Sequence, residues 1–247
     1  MAIPQIISHR GNSSVAPENT MPAFASALKA GTQSIEMDIV RTRDDVAVII
    51  HDATLDGTTN GQGAVGDFTL DEVQALDAGG WFSDAYAGVR IPTFTQFAAL
   101  MAQHPDVEIL LEFKGAWDVP HVQHIVDVVA EHNVSAQTIL QSFNRKSIEA
   151  MLEVAPDARR GVLIYEDFDG LVEQCVKAGI YTINPDVRYV LKEPSFVRKV
   201  HDAGMKVQVW TANDPQQWEQ LVELHVDGII TDSPDHLRGW MIGKNFM

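Results

Sequence analysis

Short runs rich in Ile, Val and Leu alternate along this chain with longer stretches in which apolar residues recur every three or four positions. The first pattern predicts strands buried on both faces, the second amphipathic helices, and their alternation predicts βα units around a parallel sheet. Nine runs have strand character: Ile3–Ser8, Ser34–Ile39, Val46–Ile50, Val107–Phe113, Thr138–Ser142, Gly161–Ile164, Tyr181–Asn184, Lys206–Trp210 and Gly228–Thr231. Eight helical stretches fill the gaps, at Met21–Lys29, Thr93–Gln103, Pro120–His132, Arg145–Val154, Leu171–Ala178, Pro194–Ala203, Pro215–Leu224 and Pro234–Met241.

The counts reconcile at Arg41–Asp45, five polar residues that cannot contain the crossover helix two parallel neighbours need. Val46–Ile50 is therefore expected to return as a hairpin. Eight strands then pair with eight helices, which predicts an α/β fold of the (β/α)8 TIM-barrel type with its chemistry at the C-terminal strand ends. The competing architecture is an open doubly wound sheet, but Gly11-Asn12-Ser13-Ser14 does not match the glycine-rich phosphate turn that would favour it. Residues 52–90, rich in Gly and Asp, form an insertion after the second strand unit. Within it, Asp71–Leu76 is expected as a short helix capped by Thr69, and Trp81 with Phe82 as the cover of a pocket. The whole chain, 1–247, is expected to be one domain, since barrels of this kind routinely occupy about 250 residues.

Eighteen basic and 34 acidic residues leave a net charge of −16, which opposes adhesion to nucleic acid and sustained contact with anionic membrane. An anionic substrate must then be attracted locally. No run of about 18 apolar residues predicts a transmembrane helix. The start, Met1–Ile7, carries neither a basic region nor a long apolar segment, so the expected location is cytoplasmic. Cys175, the single cysteine, is expected as a small buried apolar residue. The outer helices leave the chain expected as a monomer or a homodimer.

The strand ends carry the informative residues: Ser8-His9-Arg10-Gly11, Glu36-Met37-Asp38, His51-Asp52, Glu112-Phe113-Lys114, Gln141-Ser142 and Trp210. Glu36 and Asp38 are two apart, so their carboxylates leave the strand on one face and can converge on a cation. Glu112 on the neighbouring strand adds a third, and an all-oxygen set points to Mg²⁺ or Ca²⁺ rather than zinc. Without a cation the three would repel, forcing one to stay protonated. His9 and His51 at one barrel end can supply an acid and a base at neutral pH. A hairpin turning at Arg43–Asp45 places His51 roughly opposite Asp38. Arg10 and Lys114 either form an ion-pair network with the acids or hold a phosphate. His121, His124, His132, His201, His225 and His236 fall on helices or loops, where solvated or capping roles are expected.

The ordered set His9-Arg10-Gly11, Pro17-Glu18-Asn19-Thr20, Glu36-x-Asp38, His51-Asp52, Thr59-Asn60-Gly61-x-Gly63, Glu112-x-Lys114 and Asp227-Gly228-Ile229-Ile230-Thr231-Asp232-x-Pro234 resembles the glycerophosphodiester phosphodiesterase family. The resemblance runs from residue 9 to 234 and implies a phospholipase C-like barrel. It implies His9 and His51 as the acid/base pair, and Glu36, Asp38 and Glu112 as ligands of one divalent cation, Mg²⁺ or Ca²⁺. It makes Arg10 and Lys114 phosphate contacts, Trp210 a wall for the glycerol or the leaving group, and Glu18 and Asn19 supports of the first loop. Gly57 departs from the family, whose members commonly carry a basic residue there. The implied substrate is a small glycerophosphodiester. A phosphodiesterase of lysophospholipids and a noncatalytic phosphate-binding barrel are the rival readings.

Overall fold

The protein, described here by a computed structural model over residues 3–247, closes eight parallel strands into a barrel. In chain order these are β1 (Gln5–His9), β2 (Ser34–Arg41), β4 (Glu108–Phe113), β5 (Thr138–Ser142), β6 (Arg159–Ile164), β7 (Thr182–Pro185), β8 (Lys206–Val209) and β9 (Gly228–Thr231). Closure is direct: β1 pairs in parallel with β2 through Ile7↔Ser34 and with β9 through Ile6↔Ile229, leaving no open edge among the eight. The architecture is thus the TIM barrel, and the open doubly wound sheet is excluded.

The short β3 (Ala47–Ile49) runs antiparallel to β2, as five polar residues between two apolar runs require. Its turn falls within Arg43–Asp45, as expected, and brings His51 close to Asp38. The hairpin pairs Ile39 with Ile49 and Arg41 with Ala47, so Ile50 donates its amide to the Asp38 carbonyl at 3.2 Å and His51 lies one residue beyond. The turn is centred on Asp44, with Asp45 in the left-handed region at φ 61°, and that centre sets the pairing.

Helices return the chain between strands: α1 (Met21–Ala30), α2 (Leu70–Gln74), α3 (Phe94–Met101), α4 (Val119–Glu131), α5 (Arg145–Val154), α6 (Leu171–Lys177), α7 (Val187–Lys192), α8 (Ser195–Asp202), α9 (Pro215–Glu223) and α10 (Pro234–Gly243). Several start where a short polar side chain satisfies free amides: Thr20 before α1, Asp118 before α4, Asn144 before α5 and Asp214 before α9. Thr93 with Gln96, and Thr69 with Glu72, form reciprocal capping boxes at α3 and α2. Helix α7 is absent from the sequence reading. Its six residues span too few turns for a helical period, and Asp186 starts it by accepting from the Arg188 amide.

Along β2, Ile35, Met37 and Ile39 point outward into the layer shared with Phe24, Phe97 and Phe113, while Glu36 and Asp38 point inward. The same alternation plugs the barrel with Ile7, Leu110, Ile139 and Ile230, directly below the polar strand ends. A smaller core of Val48, Ile50, Leu55, Val65, Val73, Ala78 and Ile91 anchors the insertion to β3. Trp81 and Phe82 pack edge to face with each other, and Phe82 with Tyr86, whose hydroxyl donates to the Val15 carbonyl at 2.9 Å. They tie the insertion to the β1–α1 loop and do not line the central cavity, contrary to the expectation of a pocket cover. Cys175 is buried on α6, and burial pushes its thiol up to about 11.

Candidate active site

The strand ends open into a cavity of about 180 Å³. His9, Arg10, Glu36, His51, Glu112 and Lys114 line one side, Phe143, Leu163, Tyr165, Trp210 and Ile230 the other, with Gln141 between. Every site residue expected from the sequence lines this cavity except Asp38, which lies just behind it and is 1% exposed.

The chain reaches this geometry through a sharp exit from β1. Arg10 has φ 56° and Gly11 φ 84°. A Cβ on Gly11 would lie 2.7 Å from the Ala23 carbonyl carbon, so only glycine lets the loop hug the start of α1. The turn aims the Arg10 amide at Glu36 Oε2, 3.1 Å away, and its guanidinium at Glu18 Oε1, 2.7 Å, and Asp38 Oδ2, 3.4 Å. Asn19 donates to Asp38 Oδ2 at 2.8 Å. Lys114 Nζ lies 2.8 Å from Glu112 Oε1 and 3.6 Å from Asp38 Oδ1. The two cations therefore sit in an ion-pair network and at the cavity wall at once. Glu18 and Asn19 hold the first loop, as the resemblance implies.

Glu36, Asp38 and Glu112 are all buried, and one oxygen of each lies within 4.8 Å of the others. Burial, then repulsion from Asp38 and Glu112, pushes Glu36 well above the usual carboxylate range. Burial and Asp38 push Glu112 up to about 7. Burial also opposes ionisation of Asp38, but Arg10, Lys114, His51 and the Asn19 hydrogen bond outweigh it and hold Asp38 below its ordinary value. Three converging hard oxygens whose ionised forms are this crowded suit a divalent cation, whose charge would relieve the repulsion.

Both imidazoles are anchored by carboxylates. His9 Nδ1 lies 2.6 Å from Asp232 Oδ1, and His51 Nδ1 lies 2.7 Å from Asp52 Oδ1. An Nδ1–H donated to each carboxylate leaves Nε2 free, an acceptor in the neutral ring and a donor in the imidazolium. Asp232 also accepts from Ser13 Oγ at 3.2 Å and from Asn213 Nδ2 at 2.5 Å. Burial would raise Asp232, but these bonds, His9 first, hold it below the ordinary range. Burial lowers His51 from its ordinary value, and Arg10 and Lys114 add to this against the opposing charge of Asp38.

Asp232 and Asn213 are the supporting residues that sequence reasoning missed. Asp232 directly follows β9, as Lys114 directly follows β4, so the same strand-end signal marks it, but its partner is 223 residues away. The remaining histidines do other work: His132 Nδ1 bonds the Val128 carbonyl at 2.9 Å, and His201 Nε2 meets Asp227 at 2.8 Å.

On the apolar side, Tyr165 stacks on Phe143 with centroids 4.9 Å apart, and Trp210 meets both rings edge to face at 5.3 and 5.5 Å. Trp210 Nε1 donates to the Asn184 carbonyl at 2.7 Å, which locks the indole. Trp210 is thus a wall, and Phe143 and Tyr165 extend it.

A parallel barrel whose mouth joins a buried carboxylate cluster to two carboxylate-anchored histidines defines a hydrolase of the TIM-barrel class. The chain belongs to the glycerophosphoryl diester phosphodiesterase family, whose model matches residues 9–236. It is 36% identical over 237 residues to a glycerophosphodiester phosphodiesterase of Caldanaerobacter subterraneus subsp. tengcongensis, covering 94% of this chain and 95% of that one. Among solved structures, a phosphodiesterase of Oleispira antarctica in complex with the product sn-glycerol-3-phosphate matches with a TM-score of 0.91 at 26% identity, over 97% of both chains. A glycerophosphodiester phosphodiesterase of Agrobacterium tumefaciens matches with a TM-score of 0.84 at 28% identity, over 96% of this chain and 100% of that one.

Proposed function

We propose that this protein hydrolyses glycerophosphodiesters to sn-glycerol 3-phosphate and an alcohol, with one divalent cation, Mg²⁺ or Ca²⁺, and with His9 and His51 as the proton-transfer pair. The observation that carries this reading is the pairing of two carboxylate-anchored imidazoles with three buried carboxylates on one cavity wall. Family membership and the product named for the Oleispira antarctica structure support the substrate class.

Glu36, Asp38 and Glu112 are the residues that would hold the cation, which when bound supplies a Lewis acid that polarises the phosphoryl group and acidifies a nearby hydroxyl. Arg10 and Lys114 bind the phosphate oxygens, Arg10 with a planar fork and Lys114 as a point charge. Both remain charged, because Asp38 and its neighbours raise their pKa values against the effect of burial. His51, kept neutral by burial and the two cations, accepts a proton at Nε2 from the attacking oxygen, the substrate's own 2-hydroxyl or water. His9 delivers a proton from Nε2 to the departing alcohol, and Asp232 stabilises its imidazolium form. Phe143, Tyr165 and Trp210 contact the carbon portions of the diester.

The rim also supports a second reading, cleavage of lysophospholipids, because Phe143 and Tyr165 are 38% and 63% exposed at the mouth and would cover an acyl chain. The net charge of −16 favours the smaller diester over an anionic lipid surface.

The test is release of sn-glycerol 3-phosphate from glycerophosphocholine and glycerophosphoethanolamine by EDTA-stripped protein, with Mg²⁺ or Ca²⁺ restored separately and lysophosphatidylcholine run in parallel. Metal-restored release from the small diesters is the expected result. Release from the lipid alone establishes the second reading, and no release from folded, metal-loaded protein removes both.

A further inference from the structure

Gln141 occupies the floor of the cavity, on the seam between its two sides, and none of the steps above uses it. Its side chain is fully buried and ends a chain of polar groups that crosses the barrel interior. Thr182 Oγ1 donates to Asn184 Oδ1 at 2.7 Å, and Asn184 Nδ2 donates to Gln141 Oε1 at 2.6 Å. Thr182 and Asn184 lie on β7 and Gln141 on β5, so the chain passes over β6 at Gly161. A Cβ on Gly161 would stand 3.1 Å from Thr182 Cγ2 and 3.2 Å from both Asn184 Nδ2 and the Gln141 Cβ. The missing side chain is what makes room for the network.

The chain has a direction. Each donor faces the preceding acceptor, which turns the Gln141 NH₂ group away from Asn184, and among the described residues its Nε2 has no partner. The opposite sense would set the Gln141 NH₂ against the Asn184 NH₂, donor against donor, at 2.6 Å. Leaving a buried donor unpaired is costly, and three side chains here hold one in that state on a cavity floor. Such a donor is built for an acceptor that arrives with a ligand.

We propose that Gln141 is a substrate-binding residue whose Nε2 donates to an acceptor oxygen of the sn-glycerol 3-phosphate half of the diester, with Asn184 and Thr182 as positioning residues that set the sense of its amide. The inference rests on the phosphodiester reading of the site. A phosphoryl oxygen and a glycerol hydroxyl offer the same acceptor chemistry at this point.

The test measures calorimetric binding of sn-glycerol 3-phosphate and of inorganic phosphate to Mg²⁺-loaded protein, for the wild type, Gln141→Met and Thr182→Val, with Mg²⁺ affinity measured alongside. Methionine keeps the length and removes the donor. Gln141→Met is expected to weaken sn-glycerol 3-phosphate about five- to tenfold, the worth of one hydrogen bond, with Mg²⁺ affinity unchanged. Equal weakening of inorganic phosphate assigns the contact to a phosphoryl oxygen, and retained phosphate affinity assigns it to a glycerol hydroxyl. Thr182→Val removes the hydroxyl that donates to Asn184 and also lies 3.2 Å from the Lys206 carbonyl, so a smaller weakening of sn-glycerol 3-phosphate, about twofold, is expected. Unchanged affinity for sn-glycerol 3-phosphate in both variants overturns the proposal, as does a change in Mg²⁺ affinity alone. If Gln141→Met does not fold, Thr182→Val decides by the same criterion. Binding without turnover in the wild type would count against the hydrolase reading and leave the Gln141 measurement intact, whereas a wild type that does not bind sn-glycerol 3-phosphate overturns the proposal.

Discussion

The two sides of the barrel mouth are built from the same kind of strand end and do opposite things. On the side of β1 to β4, every residue facing the cavity carries charge or an imidazole, and each is held by at least one ion pair or hydrogen bond. On the side of β5 to β9, the facing residues beyond Gln141 and Thr211 are Phe143, Leu163, Tyr165, Trp210 and Ile230, held by apolar and ring packing and one indole hydrogen bond. The polar side is over-determined, because each buried charge must be paired to be tolerated. The aromatic side keeps Tyr165 63% exposed and carries no such constraint. Under the proposed function, the phosphate, common to every diester, would lie on the constrained side, and the part that varies between substrates on the adaptable one.

The largest effect belongs to the polar side. His51→Ala is expected to lower kcat by roughly 10² or more through loss of proton transfer, with the fold kept. Steady-state kinetics with a thermal melt check this, and an unchanged kcat would remove His51 from the mechanism. Asp232→Asn should lower kcat by about 10- to 100-fold, because it withdraws the carboxylate that orients His9 and stabilises its protonated form. An equal rise in KM with kcat preserved would instead make Asp232 a support of the binding loop.

Tyr165→Ala sharpens the contrast from the other side. Its expected signature is a KM raised about threefold to tenfold with kcat nearly unchanged, since the ring offers contact area and no charge. A collapse of kcat would show that the aromatic side takes part in the chemistry.

The smallest effect is on stability in the absence of metal. Glu112 has its pKa raised from 4.5 to about 7 by burial and Asp38, so between those values the folded protein keeps a proton that the unfolded chain has released. Stability of EDTA-treated protein should therefore fall as pH rises through that window, with Glu36 acting in the same direction. Calorimetry should record a decline on the order of a few degrees, and saturating Mg²⁺ or Ca²⁺ should abolish it. A melting temperature that rises with pH across this range in the stripped protein would contradict the cluster as described.

Much of the polar side was legible in the chain because it is local. Glu36 and Asp38 share a face through strand alternation alone, and Arg41–Asp45 is too short for anything but a hairpin. The same hairpin brings His51 close to Asp38, Ile50 being the residue that bonds the Asp38 carbonyl. The aromatic side was legible only at Trp210. Phe143 and Tyr165 follow β5 and β6 in loops, where a lone aromatic in sequence carries no sign of what it stacks on.

The βα alternation, the strand count that closes the barrel, the polar strand ends and the three carboxylates are written in the chain itself, because each follows from periodicity within one element or from the number of elements. The tertiary structure alone decided that Asp232 holds His9, that Gln141, Asn184 and Thr182 form one chain over Gly161, and that Phe143, Tyr165 and Trp210 make one wall. These groups come from strands far apart in the chain, and they meet only because a closed ring of parallel strands brings all its C-terminal ends to one mouth.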